Sequence, residues 1–254
     1  MCIRDSFKRA VGKQLNQKSP LQPSIGVLAL QGDFAEHMDM LRKIGIDAIE
    51  VRKVQQLSEI DGLIIPGGES TTIVKLLTRF EFVDHLRERV NCGMALWGTC
   101  AGMIVIAREL ADPYPIPLNL IDISVARNYF GRQVDSFEAE LHIEGINGDP
   151  MRAVFIRAPI VQTVGEGVKQ IASTDDGQAV AVKKGRVLAT SFHPELTGDT
   201  RLHTLFLKLA KEAQEDPRQN SSTAVNPSLS LIHISEPTRR YAISVAGVGV
   251  EKKK

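Results

Sequence analysis

The chain has no excess of charge of either sign: 31 lysines and arginines stand against 30 acidic residues, a formal net charge of +1 over 254 residues. Nothing global therefore points to a nucleic-acid or membrane partner. No apolar stretch approaches the ~18 residues that a membrane helix requires, and the first 24 residues lack the apolar core of a secretory signal. Cysteine is scarce. Cys2, Cys92 and Cys100 are an odd number without metal-ligand spacing, which argues against a disulfide framework and for a reducing compartment, taken here to be the cytoplasm. What remains is a chain of ordinary hydrophobic content, 43%, long enough for one large α/β domain or two small ones.

The two ends differ from the middle. Residues 1–24 carry Arg4, Lys8, Arg9, Lys13 and Lys18 against Asp5 alone, with no sustained apolar face. Such a leader has the charge of an organelle transit peptide. From about Gln214 the chain is rich in Ser, Pro and Asn. The opening "MCIRDS" and the late "SLIHISEPTR" resemble translated sequencing-adapter read-through, which would remove Cys2 and His233 from any site. The expected division is a non-native or disordered leader (1–24), an organised domain (25–213) and a disordered or artefactual tail (214–254).

In the middle, strand-like and helix-like segments alternate. "IGVLAL" (25–30) is a continuous apolar run of the kind a doubly buried strand shows. "FAEHMDMLRKIG" (34–45) follows, with Met38, Leu41 and Ile44 spaced for one helical face. "DAIEV" and "DGLIIPGGES" read as strands, and "TTIVKLLTRF" as a helix capped by Ser70 or Thr71. "MALW" then leads into "GTCAGMIVIARE", a strand, a turn and a helix. This β-α-β-α order predicts a parallel sheet with helices on both faces. Beyond it, "DISVARN", "SFEAELHI", "AVFIRAP", "KQIASTD", "AVAVKKG" and "RVLATSFHP" are short strand-like pieces, and "TRLHTLFLKLAKEA" (200–213) is a closing helix. The expectation is an α/β fold with a mainly parallel central sheet and a partly antiparallel extension.

Ligands of parallel sheets bind beyond the carboxyl ends of the strands. Three loops fall there: "PGGES", "GTCAG" and "SFHPEL". Cys100 sits where a strand turns sharply into a helix, with Gly98 and Gly102 two residues to either side, as a nucleophile elbow requires. The helix N-terminus that follows favours negative charge at that point. A buried structural cysteine would be the plainer reading. His193 and Glu195 are two apart, so in extended chain they point to one side, and Glu195 can fix the imidazole while its other nitrogen faces the thiol. The N–H groups of Gly68 and Ala101 are placed to receive an oxyanion, each worth roughly 100- to 1000-fold in rate. The Gly67–Gly68 peptide could also turn over cheaply and switch one donor off. His37, His85 and His203 fall on predicted helices and His142 on a strand, and none of them is assigned to the site.

"GTCAGM", "FHPE" and "PGGES", in this chain, resemble the class I (triad-type) glutamine amidotransferases. "IGVLALQGDFAEH", "PGGESTT", "ARNYFGRQVDSFE", "FIRAP" and "SFHPELTGDTRLH" are similar more narrowly to the glutaminase subunits of the two-protein pyridoxal 5'-phosphate synthase, over about residues 25–211. The resemblance implies a flavodoxin-like three-layer fold and hydrolysis of L-glutamine, with ammonia passed to a separate (β/α)8-barrel synthase that makes the vitamin B6 cofactor. It implies Cys100 as nucleophile, His193 as base and acid, and Glu195 as its orienting partner. Gly67, Gly68, Glu69, Arg127, Ile156 and Arg157 fall at its glutamine-binding positions, although either arginine could instead hold a surface ion pair. No metal or organic cofactor is implied, since the pyridoxal phosphate is the partner's product. Docking would involve "NYFGRQVDSFE" (128–138). The alternatives are a glutaminase serving another synthase, a catalytically idle interaction subunit, and a free-standing cysteine hydrolase on the same fold.

Overall fold

The computed structural model describes residues 22–127 and 136–214. These lie in the first of two units of the chain, 1–222. Residues 1–21 of the leader, nearly all of the tail, Cys2, His233 and most of the 128–138 segment lie outside the described residues, whereas Ser24, placed in the leader, is buried and its carbonyl accepts from Asp61 N and Gly62 N. A parallel ladder forms first: β1 (Ile25–Leu28) pairs with β2 (Ile49–Val51) and β3 (Gly62–Ile65), β3 with β4 (Ala95–Thr99), and β4 with β12 (Val187–Thr190). Each of β1, β3, β4 and β12 is buried throughout, as continuous apolar runs predict.

Side chains alternate across this sheet and sort the helices into two outer layers. From β3, Leu63 and Ile65 join the cluster that holds Ile73 and Leu77 of α2 (Ser70–Arg79), Phe82 and Leu86 of α3 (Phe82–Asn91) and α4 (Ala101–Ile106). Ile64 and, from β4, Trp97 face the other way, onto Leu41 of α1 (Phe34–Lys43) and Leu202 and Phe206 of α5 (Arg201–Gln214). Each fully buried Leu, Ile or Phe contributes about 1.5–3 kcal/mol relative to an exposed one. Three layers result.

Past β12 the sheet changes direction. β11 (Ala179–Lys184) and β9 (Ile160–Val164) enter antiparallel, β6 (Ile121–Ala126) is antiparallel to β9, β5 (Ala107–Leu110) runs parallel to β6, and β10 (Lys169–Ser173) pairs with β11. β7 (Ser136–Leu141) and β8 (Met151–Ile156) form a separate antiparallel pair. The strand at Ile160–Val164 has no counterpart in the sequence reading. The helix after the elbow is shorter than "AGMIVIARE" predicts, because its last carbonyls have partners outside it: Val105 O, Ile106 O and Ala107 O accept from the N–H groups of Leu118, Leu120 and Asn119. With those orphan carbonyls satisfied from elsewhere, the chain leaves the helix at Ala107 and becomes β5. Two smaller differences matter below. The fully buried stripe of α1 is His37, Met40 and Leu41, with the expected Met38 and Ile44 half-buried against the same core; His37 is not expected there because a buried histidine reads as polar in a hydrophobicity pattern. The cap of α2 is Glu69, whose carboxylate accepts from Thr71 N and Thr72 N.

Candidate active site

β3, β4 and β12 are neighbours in the sheet, so the three loops at their carboxyl ends meet. Cys100 holds φ 47° and ψ −106°, a conformation that a β-carbon disfavours and that the surroundings must enforce. Its N–H donates to Thr190 O of β12 at 2.8 Å. The flanking glycines are required by close approach rather than by dihedral freedom. A Cβ on Gly98 would stand 2.5 Å from Gly102 O, and one on Gly102 only 2.0 Å from Ile65 O. The thiol faces Ile156 O at 3.9 Å.

His193 Nδ1 donates to Glu195 Oε1 at 2.7 Å, which leaves Nε2 for the thiol. Both residues are buried. The pair is made by a 3-10 turn, Pro194–Leu196, that brings the carboxylate back under the ring, and not by the same-side geometry of extended chain. Burial alone would lower the imidazole's pKa, but hydrogen bonds and charge from Cys100 and Glu195 outweigh it and raise His193 to about 10. Glu195 is itself pushed up, first by burial, against the pull of His193. The pair is one unit, and the direction that follows from the contacts is a proton kept on the imidazole.

A cavity of about 510 Å³ opens over Cys100. It is lined by Gly68, Glu69, Ala101, Arg127, Ile156, Arg157 and His193, with Gln31, Asp33, Ser70 and Ile104 added by the fold. Gly67 and Glu195 do not line it. Gly67 lies against the back of the imidazole, where a Cβ would meet His193 Cε1 at 2.5 Å. The Gly67 carbonyl accepts from Asp33 N at 3.2 Å, so in this arrangement the peptide's oxygen is held on the Asp33 side. Gly68 has φ +144°, and its Cβ would meet Gln31 Oε1 at 2.6 Å and Gly32 Cα at 2.9 Å. Alanine there disturbs the loop itself and not one donor alone.

Glu69 lines the cavity while its carboxylate caps α2. Burial opposes ionisation, but donors from Thr72 and Thr71 prevail and hold its pKa near 2. Arg127 is steadied by Tyr114 O, to which Nη1 donates at 2.8 Å. Arg157 has φ 44° and forms no ion pair among the described residues. Asp33, His193 and Glu195 offer ligand atoms within 4.8 Å of one another, but a protonated Nδ1 bonded to Glu195 has no lone pair for a cation. The residues missed from sequence are Gln31, Asp33 and two histidines behind Glu195. Gln31, Asp33 and His37 lie in "IGVLALQGDFAEH" and His203 in "SFHPELTGDTRLH", so their signal was present without a role attached.

The fold and the site define a glutamine amidotransferase with its cysteine at a strand-to-helix elbow. The chain belongs to the SNO glutamine amidotransferase family, whose model matches residues 27–212. It is 49% identical over 218 residues to the "Pyridoxal 5'-phosphate synthase subunit PdxT" of Nocardia farcinica, covering 84% of this chain and 96% of that one. The protein of the same name from Herpetosiphon aurantiacus is 53% identical over 189 residues, covering 73% of this chain and all of its own length, 100%. A solved structure described as "Crystal structure of glutamine amidotransferase" is 50% identical, superposes with a TM-score of 0.70 and covers 73% of this chain and 98% of its own.

Proposed function

We propose that the chain hydrolyses L-glutamine to L-glutamate and ammonia as the glutaminase subunit of pyridoxal 5'-phosphate synthase. The observation that carries this reading is the strained Cys100 at the floor of the cavity, with the buried His193–Glu195 pair beside it. Cys100 sulfur attacks the side-chain amide carbon, and the developing oxyanion is met by the N–H groups of Gly68 and Ala101. The C–N bond breaks as His193 gives its proton to the departing ammonia. Water then attacks the γ-glutamyl thioester, its proton passes to His193, and glutamate leaves as the thiol re-forms. Arg127 and Arg157 supply donors for the substrate carboxylate, with Glu69 and the Ile156 backbone completing the pocket. Relatives named as synthase subunits at about half identity support a synthase partner over a free-standing hydrolase, and the intact Cys100, His193 and Glu195 disfavour an idle subunit.

The partner is a separate synthase subunit, a (β/α)8 barrel by resemblance, and the reaction belongs in the cytoplasm. Among the described residues no helix is long and apolar enough to cross a membrane. The test is ammonia release from glutamine, with and without the synthase from the same source. Glutamine-dependent release that rises on adding the synthase is expected. The same rate is expected from residues 25–213 alone as chain, since the family match falls within them. Equal rates with and without synthase would favour the free-standing hydrolase.

A further inference from the structure

Behind Glu195 lies a second polar cluster that the chemistry above does not use. His37 of α1 and His203 of α5 are both fully buried, and His37 Nδ1 lies 3.0 Å from His203 Nε2. On its other side His37 Nε2 is 3.1 Å from Thr99 Oγ1 and 3.3 Å from Glu195 Oε2. Trp97 packs edge-on against both imidazoles, with centroids 5.7 and 5.0 Å away. Two buried polar atoms of this region have no well-aligned hydrogen-bond partner: Glu195 Oε2 and His203 Nδ1. A buried carboxylate oxygen in that position is costly unless a donor is turned towards it.

These contacts decide the tautomers. Burial is the first cause that keeps both imidazoles neutral, so each has one N–H and one lone pair. If His37 carried its proton on Nδ1, its Nε2 lone pair would face the Glu195 carboxylate at 3.3 Å. His203 would then be left with a buried N–H on Nδ1 and nothing to receive it. If both rings carry the proton on Nε2, every contact is complementary. His203 Nε2–H donates to His37 Nδ1, and His37 Nε2–H donates to Thr99 Oγ1 while its positive end lies beside Glu195 Oε2, 3.3 Å from the nitrogen. No donor is then orphaned: what remain are acceptors, the His203 Nδ1 lone pair and Glu195 Oε2, and orphaned acceptors are tolerated better than orphaned donors.

We propose that His37 is a positioning residue for glutamine hydrolysis: its Nε2–H, fixed in place by His203, sets its positive end beside the rear oxygen of Glu195 and keeps that carboxylate ionised and squared to His193. It touches neither substrate nor nucleophile. Without that donor, Glu195 takes up a proton on Oε2. His193 Nδ1 then faces a neutral acid, and the imidazolium loses its stabilising charge. The charged and titratable groups around this chain are few. Glu195, His193 and His203 face His37, Asp33 stands 3.6 Å from His193 Nδ1, and Asp199 and Lys43 act on His203.

The inference rests on the glutaminase reading, and one experiment separates the two. Glutamine hydrolysis by the full chain with its synthase partner is followed from neutral to alkaline pH for the unsubstituted chain, His37→Leu, His37→Asn and His37→Gln. An inactive unsubstituted chain would overturn the reading itself. Given activity, His37→Leu is expected to lower kcat about ten- to hundredfold with KM within about twofold. Its alkaline limb should move to lower pH by about one unit. Gln has the length to donate to Glu195 and should restore both, whereas Asn bonds His203 but falls short of Oε2 and should not. If the Leu variant does not fold, the Gln and Asn pair still decides. Equal kcat and unmoved limbs in Gln and Asn, or full activity in a folded Leu variant, overturn the proposal.

Discussion

Glu195 has a front and a back, and three histidines divide between them. In front, His193 meets a carboxylate and a thiol, and its pKa is raised to about 10. Behind, His37 and His203 meet each other and Trp97, with His37 3.3 Å from the rear oxygen of Glu195, and both are pulled down, His203 to about 4, chiefly by burial. The residue type is the same, the depth is similar, and the shifts are opposite. Burial penalises every imidazolium, and only at His193 do hydrogen bonds and charge from Cys100 and Glu195 together outweigh it. The front can therefore move protons while the back holds them still.

The largest expected effect is at the front. Cys100→Ala should reduce glutamine hydrolysis to background, a loss of about 10⁶-fold or more where a nucleophile acts as a unit with its base. Alanine fits the elbow, so circular dichroism and partner binding should be unchanged. Cys92→Ala, at the half-buried end of α3, should be nearly silent. Equal loss in both variants would break the assignment of Cys100.

Glu195→Gln comes next, because it removes the charge that distinguishes front from back while keeping the shape. The rate should fall by about 10²- to 10⁴-fold, and the alkaline limb should move down in pH, since the imidazolium loses its partner. A full rate in this variant would mean that position alone, and not charge, organises His193.

The smallest effect is on stability, and its two sides have opposite signs. His193 holds a proton in the folded state that the unfolded chain releases near 6.5, so its contribution is complete below that pH and is lost as pH rises towards 10. His203 refuses a proton that the unfolded chain accepts, so stability is lost as pH falls from about 6.5 to about 4. Thermal melts across pH should show His203→Phe reducing the acid-side loss, with the share that His37 contributes remaining. A variant that flattened neither side would show that the rear imidazole titrates as it does in the unfolded chain.

Much of this was legible in the sequence for a physical reason. Apolar runs name buried strands, small residues around Cys100 name a tight elbow, and "PGGES" and "FHPEL" name the neighbouring strand ends. The fold confirmed that β-α order and the partly antiparallel extension. Tertiary partners were not legible. α4 stops because residues 118–120 take its carbonyls, a contact that no local pattern encodes. His37 and His203 are 166 positions apart, and each reads as an ordinary polar residue on an amphipathic helix. Gln31 Oε1 accepts from Glu69 N at 2.9 Å across 38 positions, a partner that its own neighbourhood does not name. Chemistry carried by one loop can be read along the chain, but chemistry assembled from several elements has to await the packing.

The chain contains a single tryptophan, and that residue is Trp97, fully buried and bonded through Nε1 to Thr190 Oγ1 at 3.1 Å. Its indole therefore emits from a site shielded from water, in contact with the two rear imidazoles and with no second indole of this chain to blur the signal. A protonated imidazole quenches an adjacent indole, whereas a neutral one does so weakly. The chain thus carries its own optical gauge of the layer beneath the triad, readable without a label.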